Sequence, residues 1–408
     1  MYLVDYSLHS HLVVDNIIER LTTSEAIVRL GHPCRILPQV ISTSLDLQIK
    51  SCDGGLLVND IRKEIDAHLT KLQSGGRIPK QERRAIYQEL KHLRKDCRER
   101  ERNVVQSLVR NAKVVFSTLC GAGGRKLFQE TFDVVLVDEV SQSTEAECWI
   151  AALKAEKLVL VGDPCQLPPT IKCPEAARKG LEKTLFDRLQ SQYGDRILRM
   201  LTIQYRMHKQ IMDWSNQALY NGKLVAAEAV KNRKLYELPG VQETEETSET
   251  LLLIDTAGCD MPEAVDEDNE SKWNEGEAKL CAEHVERLMK AGLHPSEIAI
   301  ITPYNAQVQQ LLNLLPKEKY PQLEIGSVDG FQGREKEAIV LTLVRSNEKG
   351  EVGFLSETRR LNVALTRAKR HVCLVCDTDT IRRDEQMKTM VEYFQDNADV
   401  QYAYTYQQ

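Results

Sequence analysis

The chain has 408 residues, 42% of them hydrophobic and 28% charged, which is enough for two or three domains that each bury a core. It contains no long apolar run and no recognisable signal or transit peptide, which argues against a membrane or secreted protein and predicts a cytoplasmic or nuclear location. The net charge of −6 is uneven, because residues 243–277 hold 13 acidic residues and one basic residue, whereas the remainder holds 53 basic and 47 acidic residues.

The positive remainder permits binding to a phosphate backbone. We interpret the acidic stretch as solvated loops around one short strand, Leu251–Asp255. The 11 cysteines do not indicate a metal centre, because the C-x-x-C pair, Cys373 and Cys376, lies in an apolar run without a second pair. Reduced and mostly buried thiols are therefore expected.

The first predicted elements are an amphipathic helix near residues 13–21 and a short strand at residues 26–31. A charged segment of about residues 56–112 follows, in which apolar residues recur at helical spacing and glycines at 75 and 76 interrupt the run. We interpret it as a helical hairpin inserted into an α/β domain. Residues 77–102 hold 10 basic and five acidic residues, a pattern that fits either contact with nucleic acid or a solvated helix face.

Short Val/Leu/Ile runs alternate with helices after residue 113, which is typical of parallel strands buried on both faces. The runs are KVVFSTL, DVVLVDE and KLVLVGD, then LLLID, EIAIITPY, EAIVLTLV and HVCLVCD. We predict an α/β protein with two parallel-sheet domains, residues 1–197 and 198–408, with ligands at the carboxyl ends of the strands.

Two adjacent carboxylates, Asp138 and Glu139, end one predicted strand. In an ATPase this placement lets the Asp hold Mg²⁺ through water while the Glu activates the attacking water, although such a pair also occurs on ordinary surfaces. Gln166 follows the next strand in the run GDPCQLPPT, where its amide is suited to contact a γ-phosphate.

Arg206 and Arg367 are candidate phosphate ligands, because a guanidinium offers two parallel donors to phosphate oxygens. Tyr205 offers a ring that either stacks on adenine or packs in a core. In the run DGFQGREKE, Gly333 allows close approach of the backbone to phosphate, and Glu335 can accept a hydrogen bond from a ribose hydroxyl.

A glycine-rich run, GAGGRK at residues 121–126, does not match the phosphate loop G-x-x-x-x-G-K-[ST], which occurs nowhere in the 408 residues. We interpret the run as a backbone contact to single-stranded nucleic acid, with an ordinary loop as an equal alternative.

These motifs, in this order, resemble the superfamily-one helicases of the up-frameshift-like group, and within it the immunoglobulin mu-binding helicases. The resemblance extends from about Ser10 to the C-terminus, and its most specific runs are DTAGCDM, ESKWNEGE, ITPYNAQV, SVDGFQGREKEAIVLTLVRSNEKGEVGFL and RRLNVALTRAKRHV. It implies two RecA-like domains with a helical insertion in the first, and ATP-driven 5′-to-3′ movement along single-stranded RNA or DNA. We also expect a monomer that contacts no membrane.

The resemblance also implies a role for each matching residue. Asp138 is expected to hold Mg²⁺ and Glu139 to act on water, while Gln166, Arg206 and Arg367 contact the γ-phosphate of ATP. Tyr205 and Gly333 are expected beside the nucleotide, with Glu335 on its ribose. The expected nucleic-acid contacts are Ser10, Thr118, Gly121, Thr302 and Ser327.

The sequence departs from this family near its start. The first nucleic-acid motif, roughly P-S-N-x-A-V-D-N in the family, reads HSHLVVDN here, and the phosphate loop that normally precedes it has no counterpart. In the resembled fold the strand before that loop belongs to the first sheet, so we expect an incomplete first domain with exposed strand edges. We therefore expect this chain to hydrolyse ATP weakly or not at all, and we expect an added upstream G-x-x-x-x-G-K-T segment to restore hydrolysis. The alternative is an inactive nucleic-acid-binding or inhibitory fragment.

Overall fold

The computed structural model describes residues 2–6, 11–21, 26–73, 79–266 and 270–406. The chain divides into two compact units: Met1–Pro164 with Pro168–Ile197, and Cys165–Leu167 with Leu198–Gln408. Each unit contains a parallel sheet with helices, so the predicted fold class is confirmed. Among the described helices, none is both long and apolar enough to cross a membrane.

The first unit contains five described strands and eight described α-helices. The strands are β1 (Tyr2–Tyr6), β2 (Ile27–Arg29), β3 (Val114–Thr118), β4 (Phe132–Asp138) and β5 (Ala155–Leu160). The helices are α1 (His11–Arg20), α2 (Leu45–Ser51), α3 (Asp53–Gln73), α4 (Lys80–Asn111), α5 (Leu119–Ala122), α6 (Glu145–Ala152), α7 (Pro174–Ala176) and α8 (Leu185–Tyr193).

The first sheet has the order β2-β3-β1-β4-β5, and its paired strands are all parallel. Sequence analysis did not predict β1, because Asp5 interrupts its run YLVDY, which therefore lacks the continuous apolar pattern of the other predicted strands. It is nevertheless the central strand, and Leu3 is completely buried. Each strand in this order pairs with the next, so the described sheet has no gap between its strands. Within the described residues β5 pairs only with β4 and is therefore an edge strand.

Helices α3 and α4 form an antiparallel hairpin. Ion pairs join Arg62 to Glu101 and Lys71 to Glu82, so residue numbers rise along one helix as they fall along the other. The α4 residues Ile86, Leu90 and Cys97 are buried, and all three lie on one side of the helix.

The second unit contains ten described strands and eight described α-helices. The strands are β6 (Ile203–Gln204), β7 (Val225–Ala226), β8 (Leu251–Asp255), β9 (Ala264–Val265), β10 (Lys272–Trp273), β11 (Ile298–Thr302), β12 (Glu324–Ser327), β13 (Lys336–Thr342), β14 (Ala368–Cys376) and β15 (Asp399–Tyr402). The helices are α9 (Lys209–Leu219), α10 (Glu245–Ser248), α11 (Glu275–Lys290), α12 (Asn305–Leu314), α13 (Thr358–Leu365), α14 (Thr378–Ile381), α15 (Glu385–Asn397) and α16 (Ala403–Tyr406).

Its main sheet has the order β12-β11-β13-β14-β8-β15, again with every pair parallel. Alternate residues of the central strands enter two separate hydrophobic clusters: Ile339 and Leu341 lie in one, and Ala338 and Val340 lie in the other. Burial on both faces explains why these strands read as continuous apolar runs.

Two expectations from the sequence are wrong, one about the acidic stretch and one about the cysteines. The acidic stretch is not merely solvated, because Glu277 is fully buried and Asp255 is 5% exposed. The thiols are not mostly buried either: Cys97, Cys148, Cys281, Cys373 and Cys376 are buried, and the other six are partly or fully exposed.

A buried polar network follows β13. Glu277 accepts hydrogen bonds from the Thr342 hydroxyl at 2.6 Å and from the Val344 N–H at 2.9 Å. Glu263 accepts one from Arg345 Nε at 2.7 Å. Val344 has φ of +72°, a strained value for a β-branched residue, and the network holds it there.

Candidate functional site

The first group of candidate residues lies at the end of β4. Asp138 Oδ1 accepts a hydrogen bond from the Glu139 N–H at 2.9 Å, and burial raises the pKa of the Asp138 carboxyl above its ordinary value. Glu139 has φ of +53°, and its Oε2 accepts a hydrogen bond from Gln142 Nε2 at 2.5 Å. This left-handed turn directs two consecutive carboxylates into the loops that follow the strand.

The register of β1 relates this carboxylate pair to a second candidate. Tyr6 is the strand partner of both Thr118 and Asp138, so Thr118 and Asp138 lie at the same level, two strand spacings or about 10 Å apart. Both residues end their strands, and the carboxyl edge of the first sheet therefore collects a candidate nucleic-acid contact and the candidate magnesium ligand.

Thr118 also begins the glycine-rich segment. Its hydroxyl caps α5 by accepting a hydrogen bond from the Gly121 N–H at 3.2 Å, so the start of this run is one helical turn rather than a loop. A Cβ at Gly121 would lie 2.6 Å from Ser117 Oγ, which leaves no space for a side chain. Ser10 lies outside the described residues.

Gln166 lies in the segment Cys165–Leu167, which belongs to the second unit although its flanking residues belong to the first. The Cys165 carbonyl accepts a hydrogen bond from Asn362 Nδ2 at 2.8 Å, and Leu167 lies in a hydrophobic cluster of the second unit.

The second group of candidates begins after β6. Gln204 Oε1 accepts hydrogen bonds from the N–H groups of Arg206 and Met207, at 2.8 and 2.7 Å, and its Nε2 donates to the Met207 carbonyl at 2.9 Å. One side chain thus shapes the turn that presents Arg206. In the same turn Tyr205 is 70% exposed. This exposure excludes the alternative that its ring packs in a hydrophobic core.

Arg206 and Glu335 form an ion pair. Arg206 Nε donates to Glu335 Oε2 at 2.7 Å, and Lys369 Nζ lies 3.1 Å from Glu335 Oε1. Burial acts to raise the pKa of Glu335, but the charges and hydrogen bonds of Arg206 and Lys369 outweigh it, so the pKa lies below its ordinary value. Glu335 is therefore ionised and already engaged by the guanidinium that is expected to contact phosphate.

Arg367 joins the same cluster through the Thr366 residue. Arg206 Nη1 donates to the Thr366 carbonyl at 3.3 Å, and Arg367 Nη2 donates to the Thr366 hydroxyl at 3.3 Å. Arg367 Nε also donates to the Val363 carbonyl at 3.0 Å, and Arg367 is only 3% exposed. Gly333, with φ of +75°, gives the left-handed turn just before Glu335.

This cluster lies at the amino edge of the second sheet, whereas the sequence pattern predicted ligands at the carboxyl ends of the strands. Glu335 and Arg367 immediately precede β13 and β14, and Lys336 at the start of β13 pairs with Ala368 at the start of β14. The reason is local: the motifs that carry these side chains occupy turns that enter the strands.

Thr302 and Ser327 occupy the opposite, carboxyl edge of the same sheet. They are register partners that end β11 and β12. Thr302 is fully buried, and its hydroxyl has no hydrogen-bond partner within the described part of the chain. Ser327 Oγ accepts a hydrogen bond from the Gly330 N–H at 3.4 Å. The second unit therefore keeps the candidate nucleotide contacts and the candidate nucleic-acid contacts on different edges.

Sequence reasoning missed two residues that organise these sites. Gln204 shapes the Arg206 turn, and Lys369 pairs with Glu335. Both lie two residues from a predicted site residue, Arg206 or Arg367, so their position was a usable signal. Their partners were not readable, because each contact depends on a turn or on residues distant in sequence.

Two family models match the chain, each described as an AAA domain: one covers residues 6–174 and the other residues 181–379. The curated relatives include DNA-binding protein SMUBP-2 of Mesocricetus auratus, 48% identical over 97% of this chain and 40% of its own length. DNA polymerase alpha-associated DNA helicase A of Schizosaccharomyces pombe is 44% identical over 95% of this chain and 59% of its own length.

Regulator of nonsense transcripts 1 homolog of Drosophila melanogaster is 34% identical over 82% of this chain and 29% of its own length. The chain thus spans between 29% and 59% of the length of these three relatives.

Proposed function

The chain belongs to the superfamily-one helicases of the up-frameshift-like group, and we propose that it acts as a motor on single-stranded RNA or DNA. The proposed activity is ATP-dependent 5′-to-3′ movement in the nucleus or the cytoplasm, with two RecA-like units, residues 1–197 and 198–408, and no obligatory second copy. Residues 56–112 are the helical insertion of the first unit.

The observation that carries the proposal is the cluster of Arg206, Arg367, Lys369 and Glu335. Arg206 and Lys369 hold the Glu335 carboxylate at 2.7 and 3.1 Å, and both Arg206 and Arg367 contact Thr366. An anion can replace the carboxylate between the two cations that hold it. Phosphoryl transfer concentrates negative charge on the phosphate oxygens, and guanidinium groups supply matching donors. Arg206 and Arg367 are the proposed γ-phosphate ligands, with Gln166 as a third contact.

The carboxylates of the first unit fit the metal that ATP requires. Asp138 and Glu139 offer the oxygen ligands that Mg²⁺ prefers, and the raised pKa of Asp138 reflects a partly buried carboxylate that a cation would stabilise. When bound, Mg²⁺ neutralises phosphate charge. Asp138 is the proposed ligand, and Glu139 is the proposed base that removes a proton from water.

The remaining nucleotide contacts follow from exposure and backbone shape. Tyr205 presents an exposed ring that can stack on adenine. Gly333 permits close approach of phosphate, and Glu335 can accept from a ribose hydroxyl once Arg206 has moved to the nucleotide.

The proposed nucleic-acid contacts occupy the carboxyl edges of both sheets. Thr302 and Ser327 end neighbouring strands of the second sheet. Thr118 ends β3 of the first sheet, and Gly121 lies in the helix α5 that follows it. Small hydroxyl side chains and a glycine backbone are suited to phosphate and sugar contacts, which do not depend on base sequence. Ser10 is proposed as a further contact.

A second candidate function follows from one observation about the sequence. The 408 residues contain no G-x-x-x-x-G-K-[ST] run, so the backbone cradle and lysine that hold the triphosphate in related ATPases have no counterpart. Hydrolysis by this chain is accordingly proposed to be weak, and the second candidate is a nucleic-acid-binding or inhibitory protein without ATPase activity.

The experiment that tests the proposal is ATP hydrolysis by the purified chain, with and without oligothymidylate or oligouridylate. Glu139→Gln and Arg206→Lys are expected to abolish any stimulated turnover, since each removes a group assigned to the reacting phosphate. Arg334→Gln is the matched control: Arg334 lies in the same sequence run as Glu335 but pairs with Glu324 at 2.8 Å, away from the cluster.

Stimulated turnover that survives in both variants would overturn the assigned roles. Absence of turnover combined with tight oligonucleotide binding would favour the second candidate. Absence of both turnover and binding in folded protein would overturn both.

A further inference from the structure

One face of α4 carries a continuous row of basic side chains. Apart from the adjacent pair Arg94 and Lys95, successive members are three, four or seven residues apart, the spacings that keep residues on one side of a helix. All seven are exposed: Lys80, Arg84, Lys91, Arg94, Lys95, Arg98 and Arg102. We call this row the α4 basic stripe; at 1.5 Å per residue its 22-residue separation extends over about 33 Å.

The acidic residues of α4 are held away from the stripe. Glu82 pairs with Lys71, Glu101 with Arg62, and Asp96 with Arg100, at distances of 2.8 to 3.0 Å. Glu89 Oε2 lies 3.7 Å from His68 Nε2. Four of the five carboxylates therefore have partners on α3 or within the helix.

The fifth carboxylate, Glu99, is exposed and makes no ion pair in the described part of the chain. In that same part, no stripe member lies within 4.0 Å of a carboxylate. Unpaired cations in a row produce a positive potential that neighbouring acids do not cancel. The helix thus segregates its charges, a pattern that a merely solvated face does not require.

An exposed aromatic ring interrupts the stripe. Tyr87 lies between Arg84 and Lys91 on the same side of the helix, its side chain is 52% exposed, and Arg83 lies over the ring at 5.9 Å. A ring beside a row of cations is the combination that binds single strands, because bases stack on the ring while the cations contact phosphates.

We propose that the α4 basic stripe binds the phosphate backbone of single-stranded nucleic acid, as a contact surface separate from the sheet-edge residues. The choice of nucleic acid rests on the proposed function, whereas the binding of a linear polyanion rests on the stripe itself. A membrane surface is disfavoured, because an interfacial helix needs an exposed apolar face and the apolar residues Ile86, Leu90 and Cys97 are buried. An acidic protein segment would account for the cations but supplies no base to stack on the ring of Tyr87.

The test measures how oligothymidylate and oligouridylate binding depend on salt. The triple variant Arg94→Gln, Lys95→Gln, Arg98→Gln removes three stripe charges. Each lost phosphate contact lowers the slope of log affinity against log salt by about 0.7, so the slope falls by about 2. If the variant and the wild type bind equally at about 1 M salt, this slope difference makes the variant bind about 50-fold more weakly at about 0.15 M salt and about fourfold more weakly at about 0.5 M.

The matched control is Arg62→Gln, Lys71→Gln, Arg100→Gln. It removes the same charge from the same hairpin, but from cations that already pair with carboxylates. The control is expected to change the slope by less than about half a unit. Circular dichroism verifies that both variants retain their helices.

A second variant separates stacking from charge. Tyr87→Ala is expected to lower affinity about tenfold at both salt concentrations, because stacking does not release counterions, and Tyr87→Phe is expected to retain the affinity. An Ala variant with unchanged affinity would remove the ring from the proposal and would favour a purely electrostatic surface.

The outcomes distinguish this inference from the proposed function. An unchanged slope in the stripe variant, or an equal loss in the control, would overturn the stripe while leaving the motor function in place. A reduced slope without any stimulated ATP hydrolysis would support the stripe and count against the motor. Wild-type binding to polyglutamate, but to neither oligonucleotide, would overturn the inference in favour of an acidic protein partner.

Discussion

The hairpin of α3 and α4 and the network that follows β13 use the same residue types in opposite ways. On the hairpin, Arg62 and Glu101 pair while 53% and 40% of their side-chain surfaces remain exposed. After β13, Arg345 and Glu263 pair with only 3% and 9% exposed. Exposed pairs contribute little to stability, whereas breaking a buried pair leaves an uncompensated charge. The comparison indicates that the first region is available to ligands and the second maintains backbone shape.

The largest expected effect follows from breaking the buried pair. Arg345→Met leaves Glu263 with Lys272, Asn347 and the Ser346 N–H as its remaining partners, and we expect the second unit to lose about 3 kcal/mol of stability. Arg100→Met, which breaks the exposed pair with Asp96, is expected to cost less than about 0.5 kcal/mol. Hydrogen exchange of β13 and α4 amides in urea measures both. Equal losses would remove the contrast.

Acid is expected to act on a second buried group, the pair His284 and His371. Their Nε2 atoms lie 2.9 Å apart, His284 Nδ1 lies 2.7 Å from the Tyr406 hydroxyl, and His371 Nδ1 donates to the Glu249 carbonyl at 2.8 Å. Two neutral rings satisfy this chain if Tyr406 donates to His284 and His284 donates to His371, whereas two charged rings would set the Nε2 protons against each other.

Burial lowers the pKa of His371 to about 4 and that of His284 well below its ordinary value. Unfolded histidines titrate near 6.5, so stability is complete above that pH and falls on acidification towards pH 4, by about 3 kcal/mol for His371 alone. Exchange of β14 amides at several pH values measures the loss. The variant His284→Gln, His371→Gln should show a flatter acid limb; an unchanged limb would contradict the assignment.

Glu277 is expected to make the stability of the second unit fall as the pH rises, the opposite of the effect of the two histidines. Burial raises its pKa to about 8, so the folded unit retains a proton that the unfolded chain releases near pH 4.5. Stability therefore decreases as the pH rises through this window, by about 2 kcal/mol between about pH 6 and 8. Glu277→Gln keeps an acceptor for Thr342 and Val344 without the charge, and is expected to remove that decrease. A decrease of the same size in the variant would exclude Glu277 as its source.

The smallest stability effect is expected on the α4 basic stripe. Arg94→Gln, Lys95→Gln and Arg98→Gln remove exposed, unpaired cations, and each is expected to change stability by less than about 0.5 kcal/mol. Thermal unfolding measures this change beside the salt dependence of oligonucleotide binding. A large destabilisation by these substitutions would mean that the stripe supports the hairpin and is not held ready for a ligand.

Much of the fold was readable from local patterns. The apolar runs predicted β3, β4, β5, β8, β11, β13 and β14, because strands buried on both faces require continuous apolar residues. The same patterns did not predict β1, β12 or β15, because polar residues or glycine interrupt their short runs YLVDY, EIGS and DVQY. Such short strands are stabilised by neighbours distant in sequence, and β1 is a strand because it pairs on both sides.

The candidate site residues could be predicted from the sequence, but their contacts could not. Asp138, Glu139, Arg206 and Arg367 were identified by residue type and by their position in motifs, which sequence records directly. The ion pair of Arg206 with Glu335 joins residues 129 positions apart, and the strained Val344 depends on Glu277 from a segment that composition alone described as solvated.

By itself, the sequence determined which residues are candidates for the chemistry and which runs form buried strands, since both depend on side-chain type and short spacing. The tertiary structure decided which charges are paired, which sheet edge each candidate occupies, and which cations of α4 remain available. Those properties depend on burial and on distances between remote segments, and only the packed chain defines them.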